Sequence, residues 1–177
     1  MRSAIILLSC LALNACGNVV PSTLMALRGI SPLAADPEGF VLRLDLPDGV
    51  RVQPGSARLV LEAERADIPA RRSGSFVLME TVGERGATYQ VAPSDLAALR
   101  RLQSEINKWE TDAPEATSGS LRVSLTACRT GSDLPADAPV SVDLQMGVDA
   151  PFVPLLREAP LQSILDQAET TGLEACP

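Results

Sequence analysis

Six short stretches of the chain are rich in apolar residues, and in four of them the residues that face inward recur at every second position. In the first of them, Leu42 and Leu44 point to one side, while Arg43 and Asp45 point to the other. Such alternation is typical of a strand with one buried face, so these four stretches predict strands. The third and fourth stretches, residues 76–82 and 87–91, complete the set of six predicted strands. Residues 83–86, between the third and fourth strands, have the length and glycine content of a hairpin loop. The predicted strands cover residues 40–46, 58–63, 76–82, 87–91, 121–127 and 140–146.

The period changes to three and four residues between the fourth and fifth strands, which predicts one long helix. Pro93 suits the first turn of this helix, and Asp95 complements the helix dipole there. A second, shorter helix is predicted over residues 160–169, with Gly172 as its stop signal. The apolar face of the long helix consists of Leu96, Leu99, Leu102, Ile106 and Trp109.

Strands outnumber helices in this pattern, which indicates a mainly β fold. We expect an antiparallel two-sheet sandwich, immunoglobulin-like in character, with the long helix between strands four and five. The short helix would then lie at the C-terminal end of the domain. The alternative is an α+β fold in which an open antiparallel sheet is covered by the helices.

The N-terminus has the layout of a secretory signal peptide: Arg2, then a short apolar run over residues 4–13, then a small residue before a cut. Leu13, Ala15 and Cys16 occupy positions −3, −1 and +1 of that cut. These residues resemble the lipobox of bacterial lipoproteins. The resemblance covers the first 16 residues. It implies that residues 1–15 are removed and that Cys16 is acylated and anchors the protein to a membrane.

Three other interpretations of this segment remain open. Cys10 could carry the lipid, although the apolar run before it is short. The segment could be an ordinary signal peptide in which Cys16 is not modified. It could also span a membrane, although ten apolar residues cover only half of a span, which needs about 20.

If Cys16 is lipidated, the next residue is Gly17 rather than the Asp that often retains such proteins at the inner membrane. We therefore expect the periplasmic face of the outer membrane.

The remaining chain is long enough for one domain with a core, but short for two. We assign residues 16–38 to a lipidated N-terminus with an apolar tether, and residues 39–177 to a single β-rich domain. The tether carries residues such as Val19, Val20, Leu24 and Leu27. Because it is too apolar to extend into water, we expect it to pack on the domain or against the membrane surface.

Composition excludes several classes of function. The chain contains no histidine, which excludes Ser-His-Asp catalysis and the common zinc sites. Its net charge is −7 without a basic cluster, so nucleic acid is not an expected partner. No phosphate-binding loop or dinucleotide fingerprint is present, and we expect no cofactor and no metal.

Two pairs of residues are of the types that could carry catalysis. Glu62 and Glu64 share one strand face, and they would lie near Asp45 if the first two predicted strands pair. Ser104 and Lys108 are four residues apart on the long helix. We expect both pairs to be solvated surface residues, because acid–base or amine chemistry requires a desolvated group. We therefore predict no catalytic residue.

Cys128 and Cys176 remain once the N-terminal cysteines are assigned to the signal and the lipid. An even pair in an oxidising compartment predicts a structural disulfide. A redox-active pair is the alternative, but the Cys-x-x-Cys spacing that lowers a thiol pKa is missing.

Residues 149–156 place apolar side chains between prolines, so this segment is extended and unsuited to a central strand. It either covers the core as an edge segment or exposes an apolar ridge that docks a partner. The candidate docking residues are Phe152, Val153, Leu155 and Leu156.

The sequence therefore predicts a lipid-anchored periplasmic binding or accessory protein that contacts another envelope protein of unknown identity. A carrier of an apolar ligand such as a lipid is one alternative. A hydrolase that uses Asp, Glu or Ser without histidine is the other.

Overall fold

The computed structural model describes residues 33, 35–83, 86–131, 134–168 and 172–177. Within them the chain is mainly β, as the alternating pattern predicts, and it contains two α-helices. The strands are β1 (Phe40–Asp45), β2 (Val50–Val52), β3 (Arg58–Arg65), β4 (Ala70–Gly83), β5 (Gly86–Val91), β6 (Thr117–Ser124), β7 (Ala127–Arg129), β8 (Pro139–Met146) and β9 (Val153–Pro160). The helices are α1 (Pro93–Asp112) and α2 (Leu161–Gln167).

Seven strands form one antiparallel sheet in the order β6-β3-β4-β5-β1-β8-β9, and this sheet curls into a half-barrel. β2 and β7 form a separate two-stranded sheet. The predicted sandwich is not confirmed, because the long strands all belong to one sheet. The alternation of residues indicates which face of a strand is buried, but it does not determine which strands are neighbours.

The core lies between one face of this sheet and α1. Leu99 and Ile106 of α1 are each 1% exposed, and they pack in the same cluster as Leu42, Leu61 and other sheet residues. The apolar face predicted for the helix is therefore the face that packs. Gln103 is also buried on this face, and its side-chain amide donates to the carbonyl of Ala35 at 3.1 Å.

The first described residues are attached to α1 by ion pairs. Arg100 donates to Asp36 at 2.8 Å and to Glu38 at 2.7 Å. The hydrogen bond from Arg100, together with that from the Glu38 backbone, holds the pKa of Asp36 below its ordinary value of 3.8. Leu33 packs against the main core. The other tether residues that the sequence analysis names lie outside the described residues.

A second, smaller cluster closes the C-terminal end. Val50, Ala138, Val140 and Leu161 are its buried members, and further residues of α2 pack against it. α2 confirms the short C-terminal helix of the prediction, with bounds that differ by one or two residues. The first residue of α2 follows the last residue of β9 directly. The end of β9 therefore lies beside this cluster.

Candidate partner-binding site

The candidate docking residues lie in and next to β9, which is an edge strand. Among the described strands β9 pairs only with β8, and the register shifts twice along the pair. Pro154 and Pro160 have no N–H to donate, which suits an edge position and explains why this extended segment is not central. The expectation of an edge segment is thus confirmed for residues 153–160.

Phe152 is half-buried beneath the side chain of Arg43. The Arg43 guanidinium carbon lies 4.2 Å from the centre of the Phe152 ring. The same guanidinium donates to Asp143 Oδ2 through Nη2 at 2.6 Å and through Nε at 3.0 Å. Arg43 and Asp143 are cross-strand neighbours of β1 and β8, so the sheet register brings this pair together.

The structure gives the other candidate docking residues different neighbours. Val153 pairs with Leu144, which packs against the main core. Leu156 pairs with Val142 and packs against the second cluster. Leu155 lies where the register shifts and is half-buried. The backbone irregularity in β9 therefore distributes these side chains over different surroundings.

A groove of about 630 Å³ lies beside the Arg43–Asp143 ion pair. Pro154 and Leu156 provide its apolar part, and the rest of its lining is strongly polar. Glu158 adopts a φ of 45°, and its backbone N–H donates to Ser141 Oγ at 3.1 Å. The polar lining residues include Arg43, Asp45, Ser141, Asp143, Arg157 and Glu158.

Three charges of this groove lack an ion-pair partner among the residues that the structure describes. Asp45, Arg157 and Glu158 are exposed. The described ion pairs include none of them. Sequence reasoning missed this groove, because its residues come from β1, β8 and β9 and lie far apart along the chain. The local signal is the alternation that places Arg43 and Asp45 on the polar face of β1, and Ser141 and Asp143 on that of β8.

The carboxylate pair on β3 is engaged by arginines. Glu62 accepts from Arg71 at 3.3 Å and from Arg122 at 3.1 Å, and Glu64 lies 3.7 Å from Arg71. Asp45 was expected near them only if the first two predicted strands pair, and they do not, because β3 pairs with β4 and β6 whereas β1 pairs with β5 and β8. On α1, Ser104 and Lys108 are exposed, as expected for a solvated pair.

Tyr89 on β5 is 2% exposed, and its hydroxyl donates to Glu80 Oε1 on β4 at 2.9 Å. Burial, followed by the hydrogen bond to Glu80, raises the pKa of the Tyr89 hydroxyl above its ordinary value of 10.0. The hydroxyl therefore stays protonated at neutral pH and acts as a hydrogen-bond donor between two strands.

The two remaining cysteines are bonded to each other. Cys128 on β7 and Cys176 form a disulfide with a Cα–Cα distance of 4.9 Å. The C-terminal tail is also attached by hydrogen bonds, since Arg129 N–H donates to the Glu174 carbonyl and Cys176 N–H donates to the Arg129 carbonyl. Cys16, the candidate lipidation residue, lies outside the described residues.

Within the described ranges, no group of His, Cys, Asp and Glu residues is arranged to hold a metal ion. None of the described helices combines the length and the hydropathy that crossing a membrane requires. No protein-family model, no curated protein and no solved structure matches the chain.

Proposed function

We propose that this chain is a lipid-anchored accessory protein of the bacterial cell envelope that binds another envelope protein through the β8–β9 groove. The lipobox-like residues Leu13, Ala15 and Cys16 support the anchor, and Gly17 supports the periplasmic face of the outer membrane as its location. The anchor would hold the domain at the membrane and leave the groove to contact a partner.

The observation that carries this proposal is the set of unpaired charges in the groove. Asp45, Arg157 and Glu158 form no ion pair among the described residues, while Arg43 and Asp143 neutralise each other beside them. A partner that supplies opposite charges would form charge-assisted hydrogen bonds there. Pro154 and Leu156 would add apolar contact in the same groove. The expected partner surface is therefore polar, with both signs of charge.

Packing favours this function over a lipid carrier. Leu99 and Ile106 of α1 fill the space against the buried face of the sheet, where an apolar ligand would have to lie. The carboxylates on β3 likewise favour binding over hydrolysis, because Glu62 is engaged by two arginines. Both oxygens of this carboxylate accept hydrogen bonds from the arginines, so neither is left to act on a substrate in this arrangement.

The test compares two charge reversals in the full-length, C-terminally tagged protein. Arg157→Glu changes the groove, and Arg101→Glu makes the same change on the exposed side of α1. Proteins are crosslinked in intact envelopes, purified through the tag and identified by mass spectrometry. We expect one stoichiometric partner that Arg157→Glu removes and Arg101→Glu retains.

Two outcomes would contradict the proposal. Equal recovery of the partner with both variants would exclude the groove as the docking site. No partner above background would overturn the binding function itself, and bound lipid should then be sought by extraction of the purified protein. Phe152→Asp is a less clean test, because it also removes the contact between the Phe152 ring and Arg43.

A further inference from the structure

The two edges of the seven-stranded sheet differ in how well they are protected against pairing with another strand. The β9 edge is irregular as a template for pairing. It contains two prolines, two register shifts and the positive φ of Glu158. These features are those by which proteins protect sheet edges. The β6 edge has none of them, because all eight residues of β6 pair with β3 in one unbroken register.

The free side of β6 is also open to solvent. Six of its eight residues are exposed, from Ser118 to Ser120 and from Arg122 to Ser124. Val123 is 38% exposed, although its cross-strand neighbour Leu59 is 4% exposed. No described strand covers Val123 on its other side. β6 therefore presents backbone donors and acceptors, together with one apolar side chain, to whatever strand pairs with it.

The sequence of β6 is complementary to itself in one antiparallel register. A two-fold axis at Leu121 would place Leu121 opposite its own copy, and Val123 opposite Gly119 of the copy. On the other face, Arg122 would face Ser120 of the copy, and Ser118 would face Ser124. Arg122 is the only charged residue in β6, so this register opposes no like charges. A shift that brings Arg122 opposite itself would be repulsive.

We propose that β6 is a self-association edge, through which two copies of this chain pair antiparallel and join their sheets. The interaction is independent of the groove and of the lipid anchor. Because two strands alone bury little surface compared with a stable interface, which needs more than about 1,000 Å², the dimer would be weak in dilute solution. Pairing would cover Val123 and would complete the backbone hydrogen bonds of β6.

Cysteine crosslinking tests the register directly. Two full-length variants, Ser118→Cys and Ser124→Cys, are prepared with tags of different size, mixed and mildly oxidised. In the proposed register, residue 118 of one copy faces residue 124 of the other, within reach of a disulfide. Each variant alone would hold its two new thiols six residues apart, about 20 Å. The wild-type chain reports the background from its own cysteines.

We expect a crosslinked heterodimer from the mixture, at least several-fold above that from either variant alone. Equal crosslinking in all samples would overturn the register. A mixture that gives no more dimer than the wild-type chain, at concentrations up to about 1 mM, would overturn the proposal, since weak contacts are populated there. Both substitutions replace exposed serines by a residue of similar size, so the fold should be retained.

Charge variants at Ser120 provide a second measurement that does not depend on disulfide chemistry. Ser120→Glu would face Arg122 of the copy and should raise the association constant about twofold to tenfold in sedimentation experiments. Ser120→Arg should lower it by a similar factor. The effects on the free energy of unfolding of one chain have the opposite signs, because Ser120 neighbours Glu62 on β3. Ser120→Glu should destabilise the monomer, and Ser120→Arg should stabilise it. If the variant with the more stable monomer also had the higher association constant, pairing through β6 would be contradicted.

Discussion

The guanidinium of Arg43 lies 4.2 Å above the ring of Phe152, and it thereby connects β1 to the segment that precedes β9. The same group is bonded to Asp143 on β8. The Arg43 guanidinium thus forms an ion pair with a carboxylate and a cation–π contact with an aromatic ring at the side of the groove. Arg43 therefore has contacts on two sides, with Asp143 on β8 and with the Phe152 ring.

A double-mutant cycle should detect this contact. Phe152→Leu keeps an apolar side chain but removes the ring, and Arg43→Met keeps the stem but removes the charge. We expect a coupling of about 0.5–1 kcal/mol between them in urea unfolding, as is typical of partly exposed cation–π pairs. Arg43→Met alone should cost more than Phe152→Leu, because it leaves Asp143 without its partner. Additive effects would show that the stacking contributes nothing.

Gly86 begins β5 at a φ of 89°, and a Cβ there would collide with the backbone carbonyl of Leu44. Gly55 has a similar φ of 73°, but no atom lies within 4 Å of the position that its Cβ would take. Gly55→Ala should therefore cost only the conformational penalty, about 1 kcal/mol. Gly86→Ala should cost clearly more, because the β4–β5 hairpin must also move away from β1. Thermal unfolding of both variants measures the difference, and equal losses would mean that the backbone of β1 yields easily.

Tyr89 predicts a dependence of stability on alkaline pH. Its pKa is raised in the folded state, so below pH 10 it is protonated in both states and contributes no pH dependence. Above pH 10 the unfolded chain loses this proton while the folded chain keeps it, and the free energy of unfolding falls as pH rises. Tyr89→Phe should flatten this decline. The chain has one tyrosine, so phenolate absorbance reports this residue alone. Half-formation of phenolate at or below pH 10 in the still-folded chain would contradict the assigned direction.

Much of the local structure follows from short-range pattern. The alternation that includes Leu42 and Leu44 predicts β1, and the recurrence of Leu99 and Ile106 predicts the packed face of α1. β2 and β7 were not predicted, because three residues are too few to show a period. Gln103 could have been assigned to the buried face from its spacing alone, since it lies four residues after Leu99.

The arrangement of the elements depends on distant contacts that leave no local signal. Asp95 suits the first turn of α1, but its carboxylate also accepts the backbone N–H of Val77 at 2.8 Å and so joins the helix to β4. The position of β1 between β5 and β8 results from pairings such as Arg43 with Asp143, which are separated by 100 residues. The charged groove depends on this placement, so the sequence indicated Phe152 but not its cationic neighbour.

The lipobox-like segment predicts that Cys16 alone carries the lipid. Cys16→Ser should abolish the incorporation of labelled fatty acid and leave an unprocessed precursor, because the thiol is the acylated group. Cys10→Ser is the matched control, since it lies in the same apolar run but within the segment that is removed, and it should leave labelling unchanged. A single acyl chain binds a membrane only marginally, at about 10⁴ M⁻¹, so the mature protein should resist salt extraction only if it carries at least two. If Cys10→Ser rather than Cys16→Ser abolishes labelling, the cleavage site lies earlier and the tether is six residues longer. If the wild-type protein incorporates no label, the chain has an ordinary signal peptide and the anchor is excluded.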